Sequence, residues 1–336
     1  MSIAVAEVKA KPRLVIKDPV SESKRWLLLT LVLAVSYGLV LANFPIDVFK
    51  DRDNYLNYVL NSDIILGINA SAGLLTLFAN EPLWLLLNTL MKQIFEPEQA
   101  IRFYIFMSAT TFSFLFLRKD PGNIVWLVLF LFGPQIVKNY IIHLRQGVAI
   151  SIFFIGWTLV GSKKHWMVMM LTPFIHASFF FVLVFLVLDK FTTRFRLSGV
   201  LRISVFFIAG LLFTLSVGYL AAAVGARQAN EYGFSAEGIS GLGFIFWLSI
   251  LFIFILQGAS FIKRYSFEVS VLIFYLCAYF FIEVSGRVFE STLFLVLLAG
   301  LTMNGWRKPA FLSLILFYSV FSYILRLGQP WLGFGV

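Results

Sequence analysis

Lys138, His143, Arg145 and Gln146 fall within one run, Lys138-Asn139-Tyr140-Ile141-Ile142-His143-Leu144-Arg145-Gln146-Gly147-Val148-Ala149, set between apolar stretches of membrane length. A lysine or arginine at the centre of a membrane helix costs about 2.5–3.5 kcal/mol on insertion scales, so such a group lines a wet cavity or holds an anion unless it can snorkel out of a helix end. We read an anion site. Its geometry is awkward for one straight helix. At about 3.6 residues per turn, Asn139, His143 and Gln146 share one face while Lys138 and Arg145 share another, nearly opposite. Either the backbone breaks here, which Gly133-Pro134 upstream and Gly147 downstream permit, or only one of the two sets is functional.

The elements that must hold these residues follow from composition. Of 336 residues, 60% are hydrophobic and only 13% charged, and Phe alone occurs 39 times. A soluble globular chain carries about 25% charged residues, and the apolar runs here match the roughly 30 Å of a hydrocarbon core. The expected fold is all-α: a polytopic transmembrane helical bundle, as a basic tail over residues 1–25 and a single transmembrane domain over 26–336. The net charge of +10 sits largely in short joints and in that tail, where it orients helices and meets anionic headgroups, so nucleic acid is not an expected partner. The single cysteine, Cys277, can form no intrachain disulfide, and the N-terminus shows no cleavable leader pattern.

Basic joints placed inside order the spans: 26–44, 101–117, 124–136, 148–160, 203–224, 242–262, 267–282, 288–301 and 311–324. Runs 64–79 and 82–95 either both cross or both lie at the outer surface. Outer-face loops are expected at about 45–63 and 225–241. The run 166–188 conflicts with the charge rule if it crosses once, because Lys190, Arg194, Arg196 and Arg202 would then lie outside. A re-entrant or broken helix, interrupted at Thr172-Pro173 and His176, keeps both basic flanks inside and carries His176 to membrane depth, where irregular backbone survives only inside protein or against a wet cavity.

On this topology His, Arg, Asp, Glu and Tyr gather toward the outer face: Asp47, Asp51, Arg52, Asp53, Tyr55, Tyr58, Glu81, Lys138, His143, Arg145, Gln146, His176, Arg227, Glu231, Tyr232, Glu283 and Arg287. The cytoplasmic joints hold mostly Lys and Arg. Structural readings stand beside the functional one. Arg227–Glu231 and Glu283–Arg287 are spaced for salt bridges within a helix, Asp51, Tyr55 and Tyr58 could form an interfacial anchor, and His176 could cap a broken helix. No metal site is expected, since three histidines without metal-ligand spacing and one cysteine make no ligand set. No phosphate loop, dinucleotide fingerprint or nucleophile elbow occurs, so the energy of any reaction must arrive with the substrate.

Several of these segments, Asp51-Arg52-Asp53-Asn54-Tyr55, Glu81-Pro82-Leu83-Trp84, Arg145-Gln146-Gly147-Val148-Ala149, His176-Ala177-Ser178 after a Lys-Lys joint, and the late Arg287, resemble the EpsG-like group of Wzy-type polysaccharide polymerases. The resemblance covers roughly residues 30–300. The chain has Phe49-Lys50 where that pattern has a Gly before its first acidic residue. The resemblance implies a GT-C-like bacterial inner-membrane glycosyltransferase working at the periplasmic face. It implies polymerisation of O-antigen or exopolysaccharide: a growing glycan passes from undecaprenyl pyrophosphate to a lipid-linked repeat unit, with no cofactor or metal, alongside a flippase and a chain-length regulator. In that reading Arg145, Arg287 and Arg227, with Gln146, Tyr55 and Tyr232, bind pyrophosphate and sugar, and the proton acceptor comes from His143, His176, Asp51 and Glu81. A ligase-type transferase of lipid-linked glycans and a polytopic transporter or flippase are the competing readings.

Overall fold

Hydrocarbon offers backbone N–H and C=O groups no partner, so apolar runs of spanning length fold as helices and any interruption must be satisfied from within the protein. In the computed structural model, which describes residues 23–159, 162, 164–227, 241–282 and 284–335, those residues form seventeen α-helices and short 3₁₀ turns, with no strand among them. The architecture is the expected polytopic helical bundle.

Helix α1 (Lys24–Ala42) is followed by α2 (Arg52–Ser71), α3 (Leu74–Ala79) and α4 (Pro82–Met91), then by the long α5 (Pro97–Leu117). The expected outer loop at 45–63 is therefore corrected: from Arg52 onward the chain is helical, and it stays so past residue 63. Its polar residues had suggested a loop, but no glycine or proline interrupts it before Gly67, and the helix stops only near Gly73, whose φ of 119° suits few other residues. α1 and α5 pack closely because Gly38 has no side chain; a Cβ there would lie 2.1 Å from Thr110 Oγ1.

Next come α6 (Ile124–Leu131) and α7 (Pro134–Ile141), bent by 63° where a single span over 124–136 was expected. Pro134 has no N–H to continue the ladder and opens the new helix instead. The carbonyls freed at the bend are answered by phenols from distant helices: Tyr37 donates to the Leu131 carbonyl at 2.8 Å and Tyr323 to that of Phe132 at 2.7 Å.

α8 (Leu144–Thr158) leads to α9 (His165–Met169), a 3₁₀ turn (Thr172–Phe174) and α10 (Ser178–Arg194). The interruption expected within 166–188 is present, at the residues that the charge argument named. The segment also doubles back, since Lys190 Nζ, near the end of α10, lies 3.9 Å from the centroid of the Trp166 ring at the start of α9. Both basic flanks share one side and His176 sits at the tip. That side is locked by the buried Asp189, which ion-pairs with Arg202 and accepts a 2.9 Å bond from Ser266 Oγ.

The remainder is α11 (Gly199–Ala223), α12 (Gly241–Leu256), α13 (Ala259–Arg264), α14 (Ser266–Ala278), α15 (Val284–Glu290), α16 (Leu293–Leu301) and α17 (Arg307–Ile324). Among the described residues three helices, α1, α5 and α11, are long and apolar enough to cross unbroken, and α6–α7 and α15–α16 qualify as bent pairs. Of the other expected spans, 311–324 is covered whole by the unbroken α17, while the run 242–262 divides at Gly258, which has a φ of 99°, and 288–301 divides between α15 and α16 with a 47° bend. Of the expected loop at 225–241, Gly225 to Arg227 and Gly241 are described, while Glu231, Tyr232 and likewise Glu283 lie outside the described residues.

The doubling back at His176 predicts that, with Cys277 replaced by Ser, single cysteines at Lys164 and Arg194 are modified by an impermeant maleimide from the same side of the membrane. Labelling from opposite sides would show that 166–188 crosses.

Candidate active site

The conflict between the two polar faces resolves by a break. α7 ends at Ile141 and α8 begins at Leu144, with Ile142 and His143 both donating their N–H groups to the Lys138 carbonyl, at 2.8 and 3.0 Å. Lys138 thus belongs to the last turn of one helix and Arg145 to the first turn of the next. The two helices then pack closely. A Cβ on Gly147 would stand 2.3 Å from the Asn139 carbonyl oxygen, so only glycine admits this approach.

Arg145 points into protein, its side chain 14% exposed. Its guanidinium forms an ion pair with Glu81, interacts with the Tyr55 hydroxyl and lies 5.2 Å from the centroid of the Tyr58 ring. A planar cation over an aromatic face is favoured by the ring quadrupole. The second Glu81 oxygen, Oε1, accepts the Ala177 N–H at 3.1 Å, so one carboxylate ties α8 to the tip of the 166–188 segment. Glu81 does this from a left-handed backbone, φ 57°, at the head of α4, and Asp51 has the same conformation, φ 62°, at the head of α2. Left-handed non-glycine residues cost about 1–3 kcal/mol each and gather at functional sites.

A second set of bonds fixes the far wall. Gln146 Nε2 donates to the Arg287 carbonyl at 2.8 Å and to Ser291 Oγ at 3.1 Å; Ser291 meets Ser178 Oγ at 3.0 Å, and Ser178 Oγ lies 2.8 Å from His176 Nδ1. This chain joins α8, α15 and α10. Lys138 pairs with Glu290 at 3.4 Å, and His143 Nδ1 lies 3.9 Å from an Asp51 carboxylate oxygen. Lys138, Arg145 and Arg287 all stand near enough to His143 to act on its charge, as Arg145, Arg287 and His143 do on His176.

Arg227 completes the group. Its guanidinium carbon lies 5.3 Å from the same Tyr58 ring that faces Arg145. Asn80 puts it there: its side chain accepts the Arg227 N–H at 2.8 Å and donates to the Gly225 carbonyl at 3.0 Å. Glu81, Tyr58, Arg227 and the Ala177 backbone also border a cavity of 180 Å³.

Nine of the ten residues singled out from the sequence, Asp51, Tyr55, Glu81, His143, Arg145, Gln146, His176, Arg227 and Arg287, therefore converge on one region, drawn from α2, α4, α8, α15 and the irregular joints. Tyr232 lies outside the described residues. Sequence reasoning passed over Asn80, Ser291 and Glu290. Asn80 directly precedes Glu81, a weak signal, whereas a serine hydroxyl such as Ser291 carries none.

Residues 25–331 match the EpsG family. The chain belongs to that family. No curated protein and no solved structure matches it. EpsG membership fits a multi-pass membrane protein, and it makes the chain a polysaccharide-polymerase type of glycosyltransferase. Within this EpsG chain the region just described gathers three arginines, two histidines and three carboxylates, Asp51, Glu81 and Glu290.

Two substitutions test how the site is held. Glu81→Ala leaves the Arg145 charge buried without its carboxylate, a change that costs about 3–5 kcal/mol when a buried pair is broken, and thermal unfolding in detergent should register it. Gly147→Ala should force α7 and α8 apart and lower activity by at least about tenfold, since near-ångström displacements of positioned groups cost up to about 100-fold.

Proposed function

We propose that this protein extends a polysaccharide at the periplasmic face of a bacterial inner membrane, transferring the growing glycan from undecaprenyl pyrophosphate to the terminal sugar hydroxyl of a lipid-linked repeat unit. The observation that carries the reading is the convergence of Arg145, Arg287 and Arg227 beside His143 and Asp51, within a chain of the EpsG family. Arg145 and Arg287, assisted by Arg227, hold the donor diphosphate and stabilise the charge that grows on it as the bond to the sugar breaks.

The acceptor oxygen attacks the anomeric carbon, and the electron pair of the broken carbon–oxygen bond leaves on undecaprenyl pyrophosphate. The acceptor proton passes to a general base. His143 is the base this reading selects, with Asp51, 3.9 Å from Nδ1, offsetting part of the repulsion that the nearby Lys138, Arg145 and Arg287 cations impose on the imidazolium that results. Glu81 suits it less, because both its oxygens are engaged, by Arg145 and by the Ala177 N–H; it serves to orient Arg145. Tyr55 supports Arg145 in the same way, Gln146 holds the backbone at Arg287, and His176 is tethered through Ser178 and Ser291 as a wall of the site. The diphosphate leaving group supplies the driving force, so the reading calls for no cofactor.

With purified protein and lipid-linked repeat units, Arg145→Lys should lower kcat about 100-fold or more while insertion is unchanged, because a lysine cannot reproduce the bidentate fork. His143→Ala should lose about 10²–10⁴-fold, the usual contribution of a general base. Full-length polymer from the Arg145→Lys variant would refute the diphosphate role. Full activity without His143 would move the base elsewhere.

A further inference from the structure

Asp51 owes its place beside His143 to the backbone that carries it, since its side chain caps no N–H of α2. That backbone is the α1–α2 connection, residues 43–51, and it is gripped at both ends. At the start, Arg102 of α5 donates to the Ala42 and Phe44 carbonyls at 2.7 and 3.1 Å. At the far end the grip comes from a strap that follows α17. Phe49 forms an antiparallel bridge with Gly335, and the Lys50 N–H donates to the Phe334 carbonyl at 3.2 Å. The next residue is Asp51.

Side chains tighten this contact. The Trp331 ring lies 5.3 Å from that of Phe49 and 5.8 Å from that of Phe44, and those two stand 6.0 Å apart, so one indole bridges both ends of the connection. Aromatic groups at such separations attract one another beyond the area they bury. The Phe49 ring also lies 5.7 Å from the guanidinium carbon of Arg52, a buried residue whose Nε and Nη1 have no hydrogen-bond partner in the protein. That charge therefore leans on the ring, and on Asp51 and Tyr55 near by. The strap reaches its position by a sharp reversal: Trp331 and Leu332 both adopt left-handed backbone, φ 48° and 55°, a conformation that persists only where surrounding contacts over-determine it. The reversal brings the buried Phe334 ring to 6.5 Å from that of Tyr323 in α17, and the hydroxyl of the same tyrosine holds the Phe132 carbonyl at the α6–α7 bend. Asp51 and the helix that leads to His143 are thus referenced to one element.

We infer that Trp331 is a positioning residue for the transfer: packed on Phe49, it sets the Phe49–Lys50–Asp51 backbone and thereby the reach of the Asp51 carboxylate to His143, 3.9 Å away. The inference rests on the proposed function, which makes His143 the proton acceptor and Asp51 its partner. Because the strap bears on the proton-transfer pair and not on the arginines that hold the diphosphate, it governs turnover and leaves substrate binding alone.

The test is a double-mutant cycle on the purified full-length protein with lipid-linked repeat units. Trp331→Ala should lower kcat about tenfold and leave KM within about twofold of wild type, the scale expected when a positioned group shifts by a fraction of an ångström. Trp331→Phe should restore most of that loss. In an Asp51→Asn background Trp331→Ala should cost no more than about a further twofold, because the group it positions is already gone. Phe49→Leu approaches the same contact from the other side; it should reproduce the kcat loss without adding to that of Trp331→Ala, and it completes the cycle with Asp51→Asn if Trp331→Ala does not accumulate. Wild-type turnover in Trp331→Ala or in Phe49→Leu would overturn the inference. A further tenfold loss in the Asp51→Asn background, or a tenfold rise in KM, would overturn it too, since the strap would then act by general packing or on binding. Full activity of Asp51→Asn alone would instead strike the Asp51–His143 pairing of the proposed function, and the inference would fall with it.

Discussion

A guanidinium ion kept inside an apolar bundle is the constraint on which this structure turns. Removing such an ion from water costs several kcal/mol even after relaxation, and the cost is met only by close, well-oriented partners. Arg145 has Glu81 on one side, the Tyr58 face on another and the Tyr55 hydroxyl near by. The two tyrosines come from α2 and the carboxylate from the head of α4, so keeping one charge where it is fixes the relative placement of α2, α4 and α8. Glu81 extends the constraint by accepting the Ala177 N–H, which brings the tip of the doubled-back segment to the same point.

Continuous helices could not have built this region. Spanning helices aim side chains outward around a cylinder, and residues seven apart on one helix stay on one face. Here the chain breaks at 132–133, at 142–143, between 170 and 177 and between 290 and 293, and three of these breaks border the site. The freed backbone groups find partners inside the protein, from the Tyr37 and Tyr323 hydroxyls at the first break to the Lys138 carbonyl at the second. Irregular backbone at membrane depth is tolerated only on those terms. On the opposite side the Asp189–Arg202–Ser266 cluster holds α10, α11 and α14 together, so the two ends of the bundle are fixed by different polar groups.

Much of this was legible before any coordinates. The doubled-back segment followed from the charges at its two ends, because a single crossing would have stranded Lys190, Arg194, Arg196 and Arg202. The polar cluster followed from the expense of Lys138 and Arg145 in apolar surroundings, and the family from the Arg145–Ala149 and His176–Ser178 segments. The break at Ile142–His143 could not be placed, since neither residue is a glycine or proline; it is set by two N–H groups sharing one carbonyl, which is a tertiary outcome. The helix from Arg52 to Ser71 was hidden by its own polar residues: Tyr55 and Tyr58 turn toward the site, while Asp53, Asn54, Asn57 and Asp63 are exposed. Bonds such as Gln146 to Ser291 link residues 145 apart in sequence through groups too common to signal anything.

The left-handed backbone at Asp51 carries one more implication. Its side chain caps no N–H of α2 and is 47% exposed, so the fold receives little from the carboxylate in return for the strained conformation. Glycine would adopt that conformation without penalty. On the proposed mechanism, position 51 is thus a place where the demands of folding and of chemistry oppose one another: selection for durability alone would erase the acid, and a chain that keeps it forgoes stability for the sake of the imidazole beside it.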